Sequence, residues 1–285
     1  MRQGLGHDGS VFGPDPERHR LRAGFDDDAA AFDRTRPVCP EELFDDLVRL
    51  DHLVTGKRVV EVGAGTGQAT LPLARRGLAV TAIELGPELA AVARTKLARF
   101  ESVTVVTGAF EDWEPLGATF DAVVAFNSLH WVDPQLRYAK PARVLRSGGV
   151  LAVARCEWAR PAEAQPFWRD VQEDYRAVGV EGDPPPPPEA IGPNHLPPEA
   201  RDHFDEVAAL RHPFAKEYSA GDYLANLGTQ SVTRQLGGEA RAEFLARVQA
   251  RLRRLGWPNL TASFVGLLTV GRVIPPAGEA ASGEP

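Results

Sequence analysis

Cysteine is almost missing from this chain: Cys39 and Cys156 are the only two in 285 residues. That is too few for a disulfide framework, and neither has a Cys or His neighbour at ligand spacing, so a structural metal site is not expected either. The opening stretch MRQGLGHDGSVFG has no apolar segment behind a basic cluster, and nothing there marks a secretory signal. These absences predict a cytoplasmic protein with reduced thiols, with a Cys39 to Cys156 bridge the minority reading in that compartment. No apolar run approaches the length of a membrane span. Concentrated positive charge is also lacking, since 32 Lys and Arg stand against 39 Asp and Glu for a net charge of −7. The basic residues are dispersed apart from Arg251, Arg253 and Arg254, so a nucleic acid is not expected as the main partner. Those arginines ride a helical period of Phe244, Val248, Leu252 and Leu255, which favours a solvated helix face over a phosphate-binding patch.

What is present is an ordinary globular composition, with 43% apolar and 25% charged residues, long enough for one large core with an insertion. Residues 1–22 lack a hydrophobic period and read as a flexible N-terminal arm. Leu43, Phe44, Leu47, Val48 and Leu50 then fall at helical spacing after Pro40. From Arg58 onward the chain alternates between RVVEVG, GQATLPLARRG, AVTAIEL, PELAAVARTKLARF and SVTVVTG. The beat is βαβαβ, which implies a parallel sheet with right-handed crossovers. FDAVVAFNS supplies a fourth strand, a helix follows over Gln135 to Leu145, and VLAVAR is a fifth strand after Gly148-Gly149.

Pro184 to Pro188, Pro193, Pro197 and Pro198 crowd one segment, which reads as a stiff extended connector. FDEVAALRHPFAKEY and LTASFVGLLTVGRV are two further strands with a helix between them. The expected fold is thus α/β, a Rossmann-like doubly wound sheet, mainly parallel, with an antiparallel C-terminal strand. Within a domain over 23–275, a core covers 40–155, a helical and proline-rich insertion 156–200 and a C-terminal substrate-side segment 201–275. Residues 276–285 read as a disordered tail.

The chemistry is concentrated in VVEVGAGTG. Gly63, Gly65 and Gly67 follow a strand and precede a helix, where glycine permits a tight turn at positive φ and lets a ligand approach the backbone. A dinucleotide fingerprint GxGxxG/A needs a small residue where Gln68 stands, so the motif disfavours NAD or FAD. Glu61 adds a carboxylate at the strand end, which repels a pyrophosphate but attracts the ammonium of a methionine moiety. Glu84 ends the second strand about twenty residues after the loop, where a carboxylate can accept hydrogen bonds from both ribose hydroxyls.

In series, VVEVGAGTG, AIELGPEL, TGAFEDW, FDAVVAFNSLHWVDP and LRSGGVLAV resemble the successive motifs of class I S-adenosylmethionine-dependent methyltransferases. FDRTRPVCP from Phe32 and YSAGDYLANLGTQS resemble segments of the type 11 and trans-aconitate methyltransferase-like group. The resemblance implies that Gly63, Ala64, Gly65 and Gly67 approach the methionine end of the cofactor. It further implies that Glu84 binds ribose with Leu85 against adenine, and that Phe110 offers backbone or ring contact to adenine. Ala109 stands where many relatives have an acid, so the adenine amino group would turn to Glu111 or Asp112 or go without that bond. Cys39 departs from the group's usual tyrosine. Phe126 and Asn127 fall where relatives line methyl donor and acceptor. His130 reads either as a hydrogen-bonded structural histidine or as a general base, and Trp131 either as a buried aromatic or as a pocket wall.

A carboxylate acceptor needs no base but calls for a cation such as Arg36, whereas a hydroxyl acceptor would give His130 a purpose. The function expected is therefore methyl transfer from S-adenosylmethionine to a small molecule, by O-methylation of a carboxylate or hydroxyl. Two alternatives stand beside it. One is a non-catalytic subunit with a methyltransferase-like fold, and the other a Rossmann NAD(P)-dependent oxidoreductase.

Overall fold

The computed structural model describes residues 24–161, 166–181, 183–256 and 259–275. The expected N-terminal arm and C-terminal tail lie outside them. The chain divides into two compact units. One comprises Cys39–Arg155, Pro193–His212 and the residues from Gly266, and the other the residues up to Val38, Cys156–Gly192 and Pro213–Val265.

The first unit is the alternating core. Helix α2 (Glu41–Leu50) starts after Pro40, with Glu41 and Glu42 in the first turn, where acids suit the helix dipole. It buries Leu43, Phe44 and Leu47. Strands β1 (Arg58–Val62), β2 (Ala79–Glu84), β3 (Val103–Thr107), β4 (Phe120–Phe126) and β5 (Leu145–Ala159) follow in sequence. Between them run α3 (Thr70–Arg75), α4 (Pro87–Leu97) and α5 (Ala139–Val144). β1 pairs in parallel with β2 and β4, β2 with β3, and β4 with β5. β1, β2 and β4 are largely apolar runs because both faces of the central parallel strands are covered, whereas the edge strand β3 stays partly exposed. Val59, Val60, Ala122, Val123 and Val124 have no exposure at all. Pro87 at the helix start suits α4, whose buried stripe is Leu89, Ala90, Ala93 and Leu97.

The strand order is β3-β2-β1-β4-β5-β7-β6, with β6 (Phe204–Ser219) and β7 (Asn259–Val273). The sheet is mostly parallel and the C-terminal strands are antiparallel. Because β1 is flanked by β2 and β4, the order reverses beside it, and open α/β sheets bind ligands at the carboxyl ends of strands there. β5, β6 and β7 each contribute residues to both units.

The second unit also contains α1 (Ala29–Thr35), α6 (Pro166–Asp170), α7 (Gln172–Ala177), α8 (Ala220–Thr229), α9 (Ser231–Gln235) and α10 (Gly238–Leu255). Its core packs Phe167, Trp168, Tyr223, Phe244 and Phe264. On α10 the stripe Phe244, Val248 and Leu252 is buried. Arg251 is bonded to Asp174 and Glu173 at 2.6 to 3.0 Å. In the proline-rich segment Arg160 N donates to Pro186 O at 2.9 Å, and short 3₁₀ turns span Pro188–Ala190 and Pro198–Ala200. Ile191 and Leu196 are buried. Cys39 is buried and Cys156 half-buried. No helix among the described residues is long and apolar enough to cross a membrane.

Candidate functional site

The loop after β1 is built on left-handed backbone. Gly63, Gly65 and Gly67 have φ of +69°, +58° and +75°, a region that costs an L-residue about 1–2 kcal/mol. The amides of Gly63 and Ala64 both donate to Ile83 O, at 2.9 and 3.0 Å, so the loop is tied to β2. Space is as restrictive as torsion. A Cβ at Gly63 would stand 2.6 Å from Ser128 Cβ, and one at Gly67 2.9 Å from Leu97 Cδ1. Ser128 follows β4 and donates its hydroxyl to Val62 O, closing the loop from the other side.

Two acids face this loop. Glu84 Oε2 accepts from Gly65 N at 2.7 Å and Oε1 from Gly86 N at 2.8 Å. The carboxylate therefore holds the glycine turn and the start of α4 in one geometry. Charge-assisted bonds of this kind are about twice as strong as neutral ones. Glu61 is buried in β1 and accepts from Thr70 Oγ1 at 2.6 Å. Burial pushes its carboxyl up to about 8, against the Thr70 hydrogen bond, which lowers it, and with help from the Glu84 charge.

The remaining candidates of this unit end the neighbouring strands. Gln68 and Ala64 belong to the loop, and Leu85 and Ala109 are half-buried after β2 and β3. Ala109 O accepts from Asp112 and Trp113 amides at 3.1 Å, which turns the chain. Phe110 is buried, stacked on Trp113 and beneath Lys140 Nζ at 5.4 Å from its ring centre. Phe126 stacks on Phe44 at 5.1 Å. Asn127 is exposed, in left-handed backbone with φ +55°.

His130 lies in a 3₁₀ turn, Leu129–Trp131, with its ring 5.1 Å from the buried Trp131. Burial, then the Arg155 and Arg137 charges, depress its imidazole to about 3. His130 is accordingly neutral throughout the physiological range, and a weak base.

Arg36 belongs to the second unit. It donates to Thr229 O at 2.6 Å and lies 5.6 and 5.0 Å from the ring centres of Phe25 and Phe32. Burial lowers its pKa to about 10, Tyr218 opposing and Arg234 adding to the shift. It remains charged at neutral pH.

Three contact residues were not singled out in the sequence: Thr70 under Glu61, Ser128 against Gly63, and Lys140. Lys140 is almost wholly buried and donates to Glu111 O at 2.8 Å. Thr70 was legible in principle, as the first residue of the helix after the glycines. The other two contacts join segments far apart in the chain.

Residues 60–153 match the family described as a methyltransferase domain. An uncharacterized methyltransferase of Mycobacterium tuberculosis is 33% identical over 167 residues, covering 59% of this chain and 63% of the relative. The demethylmenaquinone methyltransferase of Tropheryma whipplei is 36% identical over 121 residues, covering 41% and 48%. The ubiquinone biosynthesis O-methyltransferase of Xanthomonas oryzae is 40% identical over 114 residues, covering 36% and 47%. The chain thus spans less than two thirds of the length of these curated relatives. Among solved structures, one described as a type II methyltransferase of Anaeromyxobacter dehalogenans superposes with a TM-score of 0.61 at 24% identity, covering 84% of this chain and 99% of that one; at that identity the likeness speaks for the fold alone. Residues 60–153 of this chain are thus similar to a methyltransferase domain, and the sheet around them is that of a Rossmann-like α/β fold.

Proposed function

We propose that the chain transfers a methyl group from S-adenosylmethionine to an oxygen of a small-molecule acceptor, a carboxylate in preference to a hydroxyl. The observation that carries the first part is the pairing of a left-handed glycine loop with Glu61. Glu61 is a wholly buried carboxyl whose pKa stands at about 8 with Thr70 as its hydrogen-bond donor. Such a group gains its charge when a cation approaches, and the ammonium of a methionine moiety is that cation. The three glycines at positive φ keep side chains off the turn, so that a ligand can approach its backbone.

On this reading Gly63, Ala64, Gly65, Gly67 and Gln68 surround the methionine end. Glu84 shares its carboxylate between the loop amides and the ribose hydroxyls. Leu85, Ala109 and Phe110 flank the adenine, and Phe126 and Asn127 line the donor side. When bound there, S-adenosylmethionine would supply an electrophilic methyl group for the acceptor oxygen, with its neutral thioether as the leaving group. The protein's contribution is alignment and exclusion of water, which needs a base only where the acceptor keeps its proton. The name of the Xanthomonas relative supports oxygen as the acceptor atom.

His130 decides between the oxygen acceptors. An imidazole held at about 3 is far from the pKa that suits a general base near neutrality, and a carboxylate acceptor is ionised without one. We expect His130→Ala to lower turnover less than about tenfold, with a profile flat between about pH 5 and 8. Loss of a general base would instead cost about 10² to 10⁴. A loss of that size with normal cofactor affinity, rescued by imidazole, would overturn the carboxylate reading in favour of a hydroxyl.

Cofactor affinity tests the site itself. Glu84→Ala removes a charge-assisted acceptor and releases the Gly65 and Gly86 amides. S-adenosylmethionine binding measured by calorimetry is expected to weaken by about 1–3 kcal/mol. Unchanged affinity in a folded variant would remove Glu84 from the site.

A further inference from the structure

We propose that the second unit holds a preformed binding site for the carboxylate of a small, largely apolar organic acid, built from Arg36, Tyr218 and Asn226. The choice of a carboxylate rests on the reading above and narrows it to an apolar acid.

Asn226 on α8 has no solvent exposure, and among the described residues neither its Nδ2 nor its Oδ1 has a hydrogen-bond partner. Buried polar side chains are almost always paired, and a leucine would fill the same position without leaving a donor and an acceptor unmet. The same unit holds further groups of this kind. Tyr218 Oη, Trp168 Nε1, Thr233 Oγ1 and Arg36 Nε are likewise buried and unpartnered.

These groups are tied together within one unit. Thr229 O accepts from Arg36, and Thr229 Oγ1 donates to Asn226 O at 2.7 Å. Lys216 Nζ donates to Thr35 O and Arg36 O at 2.8 and 2.9 Å and lies 4.8 Å from the Tyr218 ring centre. Tyr218 packs on Tyr223 at 6.0 Å, and Tyr223 on Trp168 at 5.7 Å.

The inventory selects the ligand. Guanidinium and indole N–H groups are donors only, and the amide, phenol and hydroxyl can all donate. A cluster dominated by donors calls for an acceptor-rich partner. Arg36 brings positive charge, and among the described residues no carboxylate pairs with it, whereas Arg34 is taken by Asp222 and Arg234 by Asp27. A planar anion with two acceptor oxygens matches a guanidinium. Phe25, Phe32, Trp168 and Tyr223 around these groups suit an apolar body behind the carboxylate.

The test uses the full chain with benzoate and phenylacetate as probes, and benzamide and phenylacetamide as uncharged counterparts, near neutral pH. The acids are expected to raise the melting temperature and bind by calorimetry, and the amides are not. Arg36→Met should weaken acid binding at least about tenfold, the scale of a charge-assisted bond. Asn226→Leu should do the same while melting no lower than wild type, because it removes an unpaired buried amide; a purely structural Asn226 would instead lower the melting temperature. Equal binding of acids and amides, no binding of either acid, or both variants binding acid as wild type does would each overturn the proposal. S-adenosylmethionine affinity, measured on the same samples, separates the two readings. Cofactor binding without acid binding overturns this site alone, and acid binding without cofactor binding overturns the methyltransferase reading while the carboxylate site stands.

Discussion

Gly65→Val is expected to lose S-adenosylmethionine binding by about 10² to 10³-fold while the fold persists. Gly65 sits at φ +58°, where a β-branched residue carries about 1–2 kcal/mol or more of strain. Relieving that strain moves the amide that donates to Glu84 at 2.7 Å, and a lost charge-assisted bond adds about 1.5–3 kcal/mol. Each 1.4 kcal/mol is tenfold in affinity. Calorimetry against wild type checks the loss, with circular dichroism to establish folding. Affinity within a few-fold of wild type would mean that the ligand does not approach this turn.

The second large effect is a pH dependence of stability. Glu61 stands at about 8 in the folded protein against an ordinary 4.5. Between those values the folded state keeps a proton that the unfolded chain gives up. Stability therefore falls as pH rises through that window, by up to about 1.4 kcal/mol per pH unit from this one group. Below it both states are protonated and the contribution vanishes; above it the full penalty of a buried charge is present. Glu61→Gln can still accept from Thr70 but cannot ionise. Its denaturant midpoint is expected to be flatter than that of wild type between about pH 5 and 8, and cofactor binding to wild type in that range should release a proton. Parallel pH slopes for the two proteins would show that Glu61 does not hold its proton.

How much of this was legible depends on the range of the contacts. The parallel core was readable because VVEVG, AVTAIEL and FDAVVAF are apolar runs between helical stretches, and β1, β2 and β4 lie on them. The helix expected over Gln135 to Leu145 is shorter, Ala139–Val144, because Asp133 first draws the Gln135, Leu136 and Arg137 amides into a turn. Gly63, Gly65, Gly67 and Glu84 were visible because their meaning lies in local spacing. The depressed imidazole of His130 was not, since it comes from burial beside Arg155, distant in sequence. Nor was the unpaired amide of Asn226, because nothing in YLANLG distinguishes a solvated asparagine from one sealed away from water.

The division of strands between the units bears on the order in which the chain can fold. The chain passes from one unit to the other within β5, between Arg155 and Cys156, within β6, between His212 and Pro213, and within β7, between Val265 and Gly266. Cys39–Arg155 is continuous and its strand pairs are close in sequence, so its loops close early at small entropic cost. The other unit draws together segments more than a hundred residues apart, such as Arg36 with Thr229, and non-local pairings of that kind form late and slowly. During synthesis the glycine loop and its acids can therefore assemble while Arg36 still waits for the α8 carbonyl that holds it, and any pause before β7 emerges would leave both units without a strand.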